Sequence, residues 1–150
     1  MGRRAISRSS LGAWLVKASP ESFPVSEVVR DGFETVTRRC VRPTYRAELV
    51  REGQPVLLWI SGRDPEHPSG IYAAGSTTGP AEPDDSEPSK LSMPVRLVPV
   101  DPVVTRAEIL VHRVLSGCEV IRMPAGSNPS YLDTEQYRAL QSAFPQVSPR

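Results

Sequence analysis

Apolar and polar positions alternate through "AWLVKAS", which predicts a strand from Ala13 that Pro20, having no N–H to donate, brings to an end. Val25, Val28 and Val29 then share one face of a short helix, with Pro24 at its opening turn and Gly32 at its end. The β-branched run "FETVTRRCV" predicts a strand or extended connection between Phe33 and Val41. In "TYRAELV", Tyr45 and Leu49 stand four apart on a brief helix that stops before Gly53. "PVLLWIS" is almost continuously apolar, the pattern of a central strand covered on both faces, and Trp59 lies at its far end. "GIYAAGSTTG" predicts a second strand joined to it by the polar turn "GRDPEHPS", with Gly75 marking a bulge or a close backbone approach.

Periodicity disappears in "PAEPDDSEPSK", whose four acids and three prolines predict an exposed, mobile loop. Its Glu82, Asp84, Asp85 and Glu87 would repel phosphates, which places the loop away from any basic face. "MPVRLVPV" returns to strand patterning, and its prolines favour an edge or irregular strand. Thr105 with Glu108 forms a capping-box signature, followed by an apolar stripe of Ala107, Leu110, Val111, Val114 and Leu115. "CEVIRMPAGSNPSYL" reads as a strand ending in a tight polar turn. Asp133 with Gln136 repeats the capping signature, Leu132 and Tyr137 stand as its hydrophobic staple, and Leu140 and Phe144 continue a buried stripe. Short strands mixed with four short helices, without regular βαβ alternation, predict an α+β domain around a curved, partly closed sheet. Its bounds are expected at residues 13–146, between a flexible tail at 1–12 and a C-terminal tail at 147–150.

Composition narrows the function classes. With 39% hydrophobic and 23% charged residues, the 150-residue chain reads as one soluble globular domain rather than a collagen-like, coiled-coil or disordered one. The net charge of +1 hides an asymmetry: residues 1–63 hold 11 Lys/Arg against 6 Asp/Glu, and residues 64–150 hold 7 against 11. Arg38, Arg39, Arg42 and Arg46 concentrate the basic excess, a cluster suited to phosphates or, alternatively, to a solvated face with local ion pairs. Cys40 and Cys118 form neither a metal knuckle nor a redox pair, so a reducing cytoplasm is the expected setting. No secretory signal is expected from the amino end, Ile6 breaks the myristoylation pattern, and no run approaches the ~20 apolar residues of a membrane span.

Signatures of catalysis are missing from the pattern. The glycines of residues 70–79 are not followed by Gly-Lys-Ser/Thr, and no Gly-x-Ser-x-Gly elbow occurs. His67 falls in a polar loop and His112 beside a helix face, and with two isolated cysteines they make no metal set. The paired carboxylates at 84–85 sit in the acidic loop. The expectation is a non-enzyme without cofactor. What remains is a constellation at strand ends, helix starts and turns: Trp14, Lys17, Arg42, Tyr45, Trp59, Ser61, Tyr72, Ser127 and Asn128. Aromatic faces beside amides and hydroxyls suit a flat, heteroatom-rich ligand such as a base; the competing reading makes both tryptophans core anchors.

In their order, "AWLVKASPESFPVSEVVRDG", "CVRPTYRAELVREGQPVLLWISG", "GIYAAGSTTG" and "RMPAGSNPSYLDTEQYRAL" resemble an EVE domain of the PUA-like superfamily over about residues 13–144. The resemblance implies a PUA-like pseudo-barrel, a mixed curved sheet with flanking short helices, and a pocket that accepts a nucleobase, often a modified one. YTH domains, which read methylated adenine in RNA, are relatives with a similar aromatic cage. On this resemblance Lys17 and Ser19 match the "K-S-x-P" region, with Ala18 interposed; Arg42 and Tyr45 match the turn after the Val-Arg pair. Trp59 and Ser61 match the central strand end, and Ser127 and Asn128 the "S/T-N" turn. Where many members carry a tryptophan before the Val-Arg pair, this chain has Cys40, so a cage lacking that wall accepts a different ligand or binds more weakly.

The expected function is therefore a non-catalytic module that recognises a modified nucleobase in DNA or RNA, with Arg38, Arg39 and Arg46 along the nucleic-acid backbone. The alternatives are a small-ligand sensor or protein-interaction domain and, third, a nucleotide-processing enzyme. Base, nucleic acid, pathway and oligomeric state are left open.

Overall fold

The computed structural model describes residues 5–21, 23–62, 65–86 and 89–148. Residues 1–4 and 149–150 of the two expected tails, and Glu87 of the acidic loop, lie outside the described residues. Strand β1 (Leu11–Ala18) runs parallel to β3 (Pro55–Ile60), with Trp14 opposite Val56 and Ala18 opposite Ile60. The other pairings among the described strands are antiparallel, and they join β2 (Arg38–Val41), β6 (Leu91–Thr105), β4 (Gly70–Thr77), β3, β1 and β7 (Ser130–Asp133) in that order. The two-residue β5 (Glu82–Pro83) pairs with β6 off this path. The result is an α+β fold around a curled half-barrel of mixed sheet, with helices α1 (Val25–Arg30), α2 (Tyr45–Glu48), α3 (Arg106–Leu110), α4 (Glu119–Arg122) and α5 (Thr134–Ala143). None of the described helices is long and apolar enough to cross a membrane.

The alternation along β3 explains its continuous hydrophobicity. Val56, Leu58 and Ile60 enter one core with Trp14, Val16, Met93 and residues of α1 and α2. Leu57 and Trp59 enter the other, against Leu15, Ile109, Leu115 and Leu140. Both faces of the strand are thus covered, as its pattern predicts. Gly75 of β4 lies so close to β6 that an added Cβ would stand 1.8 Å from the Arg96 carbonyl oxygen, which accounts for the glycine by close backbone approach. At the end of α1, Gly32 and Phe33 take φ values of 65° and 64°; the second is an uncommon conformation for a non-glycine residue, and Phe33 is buried by it.

Several expected elements differ. β1 begins at Leu11, Ile6 is buried, and Leu11 N donates to Ser7 O, so residues 5–12 pack against the domain rather than trailing from it. At the other end Val147 is fully buried, which carries the packed part past residue 146. The second strand is confined to Arg38–Val41 because Phe33 and the turn around it belong to the end of α1. β6 is not an edge throughout: Leu91–Pro94 pair with β2, and Val95–Thr105 pair with β4. Pro99 and Pro102 fall in the half beyond β2, where one flank asks for no ladder N–H.

Both capping boxes form, Thr105 with Glu108 and Asp133 with Gln136. The stripe predicted for the first of those helices does not. α3 stops at Leu110, Ile109 and Leu115 are the buried residues, and Val111 is 87% exposed. His112 ends the helix by accepting from the N–H groups of Val114 and Leu115. The segment from Cys118, expected as a strand, starts with the four-residue α4 and reaches strand geometry only at Ser130.

Candidate functional site

The turn after α4 is tied to the end of β1 from both sides. Met123 N donates to Glu119 O at 2.7 Å and Gly126 N to Met123 O at 2.9 Å, closing the turn on itself. The Asn128 side chain then takes the place of a strand partner. Its Oδ1 accepts from Lys17 N at 2.8 Å and its Nδ2 donates to Lys17 O at 3.0 Å. Asn128 O accepts from Arg42 N at 3.0 Å, so Lys17, Arg42 and Asn128 do converge, chiefly through backbone groups. Lys17 Nζ reaches under the turn to donate to Pro124 O at 3.3 Å and to Gly126 O. Burial pushes the Lys17 ammonium below its ordinary value, with Glu119 pulling it up and Arg46 adding to the decrease.

On the outer side of this turn opens a cavity of about 550 Å³ lined by Thr44, Tyr45, Arg46, Glu119, Ser127 and Tyr131, among others. Arg46 forms its charged floor. Nη1 and Nη2 each donate to a Glu119 carboxylate oxygen at 2.7 Å, Nη1 also donates to Pro129 O at 2.9 Å, and the guanidinium lies 4.9 Å from the Tyr131 ring centroid. Glu119 takes a further hydrogen bond from Ser130 Oγ at 2.9 Å. Burial pushes the Glu119 carboxyl up, but the Arg46 and Ser130 hydrogen bonds outweigh it and hold the group below its ordinary value. The hydrogen bond to Glu119 raises Arg46 in turn. Tyr45 is 46% exposed, and its hydroxyl accepts from Ile6 N at 3.2 Å. The arrangement offers an exposed ring, a stacked guanidinium–phenol pair and the Ser127 and Thr44 hydroxyls to one flat guest.

Of the expected site residues, Tyr45, Arg46, Ser127 and Asn128 meet at this cavity. Trp14 and Trp59 do not. Trp14 is fully buried with Nε1 donating to Gln54 Oε1 at 2.8 Å, and Trp59 is 3% exposed in the opposite core, so both are core anchors. Tyr72 is likewise buried, its hydroxyl donating to Pro68 O at 2.6 Å. Ser19 and Ser61 line a second cavity of about 930 Å³ together with Glu21, Arg106 and Pro124. Nothing in the sequence marks Glu119 or Tyr131 as site residues, since the span from Cys118 to Leu132 reads as a strand and turn; the helical geometry of α4 turns the Glu119 carboxylate to Arg46.

The arginine cluster divides by role. Arg46 is held by Glu119, and Arg39, half-buried, donates to Lys17 O at 3.3 Å and lies 5.0 Å from the Phe23 ring centroid, so neither stands free along a backbone. Burial lowers the Arg39 guanidinium from its ordinary value. Arg38 and Arg42 remain exposed. The acidic segment is not remote from them: β5 pairs with β6 at Ser92, and Asp84, 5% exposed, accepts from Cys40 Sγ at 3.1 Å. Hydrogen bonds from Ser86 and Cys40 hold Asp84 down at about 2, with the Arg38 charge assisting. A strand pairing and a buried carboxylate thus anchor what the sequence presents as a loose loop.

Among the described residues no group of three His, Cys, Asp or Glu side chains is placed to hold a metal. No family model and no curated protein matches the chain. Its fold is similar to solved structures. A Rhodopseudomonas palustris protein solved by NMR superposes with a TM-score of 0.68 at 14% identity, covering 93% of this chain and 97% of that one. A hypothetical protein from Leishmania major gives 0.65 at 16% identity over 91% and 96%, and a Pseudomonas putida protein solved by X-ray crystallography gives 0.63 at 14% over 87% and 97%. At such identities the likeness is one of fold.

Proposed function

We propose that the chain is a non-catalytic, PUA-like nucleobase-binding module of the EVE type, which takes a modified base of DNA or RNA into the cavity beside Tyr45. The observation that carries this reading is the pairing of an exposed tyrosine with the Arg46–Tyr131 stack around hydroxyl groups in one cavity of about 550 Å³. Every base has a π-face, and aromatic rings and guanidinium planes are the surfaces on which unstacked bases settle. On this reading the hydroxyls of Ser127 and Thr44, which line the same cavity, read the base's edge. Arg38 and Arg42 supply positive charge outside the cavity, where phosphates pass.

Fluorescence anisotropy against single-stranded oligonucleotides carrying plain, methylated and hydroxymethylated bases tests the reading. Preference for one modified base, with affinity falling as salt rises, is the expected result. Equal binding to all of them at low salt overturns base recognition. Modified-base selectivity with a flat salt response points instead to a free small-molecule ligand, the sensor alternative.

A further inference from the structure

The second cavity lies where the parallel pair ends. β1 and β3 both run out at its wall, Ser19 following Ala18 and Ser61 following Ile60, and Ser61 N extends the ladder by donating to Ala18 O at 2.9 Å. The crevice beyond the carboxyl ends of parallel strands is a recurrent ligand position in sheets with helices packed on them. Across it stands Arg106, whose backbone is fixed by its N–H donating to Ser69 O at 2.7 Å. Its side chain is exposed and makes no ion pair or hydrogen bond with the described residues. Glu21 is the acid at the rim, and the Lys17 ammonium, hydrogen-bonded to Pro124 O, lies behind the wall.

The two cavities share one partition. Pro124 lines this one, Met123 and Gly126 line the tyrosine cavity, and Lys17 Nζ is bonded to carbonyls on both sides of the turn. The two cavities thus stand on either side of one four-residue turn, the arrangement a strand would span if its base entered one and its backbone passed the other. We propose that Arg106, with Ser61 beside it, holds a backbone phosphodiester of the same strand whose base occupies the tyrosine cavity, so that the strand crosses the 123–126 turn. The assignment rests on the base-binding reading above. A guanidinium offers two parallel N–H donors to phosphate oxygens; Ser61 Oγ, which donates to Ala18 O at 3.3 Å, would exchange that carbonyl for a phosphate oxygen, and no covalent bond is made or broken.

The test compares wild type with Arg106→Gln and Arg106→Lys against three probes: the selected oligonucleotide, the corresponding free nucleoside and inorganic phosphate, across a salt series. Arg106→Gln should bind the oligonucleotide about tenfold more weakly at low salt, as loss of a charge-assisted hydrogen-bonded contact implies. Its salt slope should be shallower by about 0.7, the value of one single-strand phosphate contact. Nucleoside affinity should be unchanged, and Arg106→Lys should recover the slope more fully than the affinity. Unaltered oligonucleotide binding by Arg106→Gln overturns the phosphate site while leaving base recognition standing. Inorganic phosphate binding that needs Arg106, without any effect on the oligonucleotide, overturns the nucleic-acid source. Failure of wild type to bind both nucleoside and oligonucleotide removes the base-binding reading and this inference together.

Discussion

Arg46 and Glu119, 73 positions apart, form a two-pronged ion pair with both N···O distances at 2.7 Å, and the pair joins α2 to α4 beneath the candidate cavity. The side chains retain only 21% and 11% of their exposure. Such a pair contributes less through its own attraction than through what its rupture leaves behind, a buried charge without a partner.

Arg46→Ala should therefore destabilise the fold by about 3 kcal/mol, and Glu119→Gln by less, since the amide still accepts from Arg46 and Ser130. Urea denaturation measures both. The pH dependence follows from the depressed carboxyl. Its contribution is complete above the ordinary value of 4.5 and is lost as pH falls through the lower folded value. Between neutral pH and that region wild type should hold its lead over Glu119→Gln; further acidification should close the gap. A gap that stays constant into acid would show that the carboxylate charge contributes nothing.

Gly75→Ala is expected to loosen the pairing of β4 with β6. The new methyl would meet the Arg96 carbonyl at 1.8 Å, a backbone atom that cannot swing aside. Forcing a methyl into such a contact costs about 1–3 kcal/mol, readable as a lower thermal midpoint with the same secondary structure by circular dichroism. A stability equal to wild type would mean that the strands separate here at no cost.

The elements most legible in the sequence are those set by short-range chemistry. Thr105 with Glu108 and Asp133 with Gln136 cap helices because each box is complete within four residues. Likewise β3 announces its two buried faces through its composition alone. What failed depended on distant partners. Val111 carries helical spacing but follows a helix that His112 closes, and Glu119–Arg122, strand-like in sequence, folds as α4 with its Glu119 carboxylate paired to Arg46 far along the chain. The site was legible by half. Tyr45, Ser127 and Asn128 converge as expected, whereas tryptophan at a strand end is equally the mark of a pocket wall and of a core anchor until the sheet decides which face it takes.

Cys40 is exposed, yet its thiol should label slowly. Donation of its S–H to Asp84 raises it above the ordinary 9.0, with burial and the Asp84 charge adding to the increase. Asp84→Ala should therefore shift the pH profile of iodoacetamide labelling downward and speed reaction at neutral pH, with Cys118, buried, silent in the folded protein in both. Identical profiles would dissolve the coupling between Asp84 and Cys40 of β2.

The aromatic residues offer the sharpest contrast. Trp59 is 3% exposed among core side chains and Tyr45 is 46% exposed on the cavity, so the two should separate stability from binding. Trp59→Ala removes a large buried side chain and should cost about 3–5 kcal/mol, and Trp59→Phe, a smaller loss, should leave a folded protein with oligonucleotide affinity unchanged. Tyr45→Ala loses an exposed ring and its hydroxyl contact to Ile6 N, a modest stability change. It should nevertheless weaken binding to the selected oligonucleotide at least tenfold, since base–aromatic stacking is worth about 1–3 kcal/mol. Denaturation curves and anisotropy titrations on the same three variants give the answer: weakened binding in folded Trp59→Phe, with Tyr45→Ala unaffected, would move the base to the other face of the sheet.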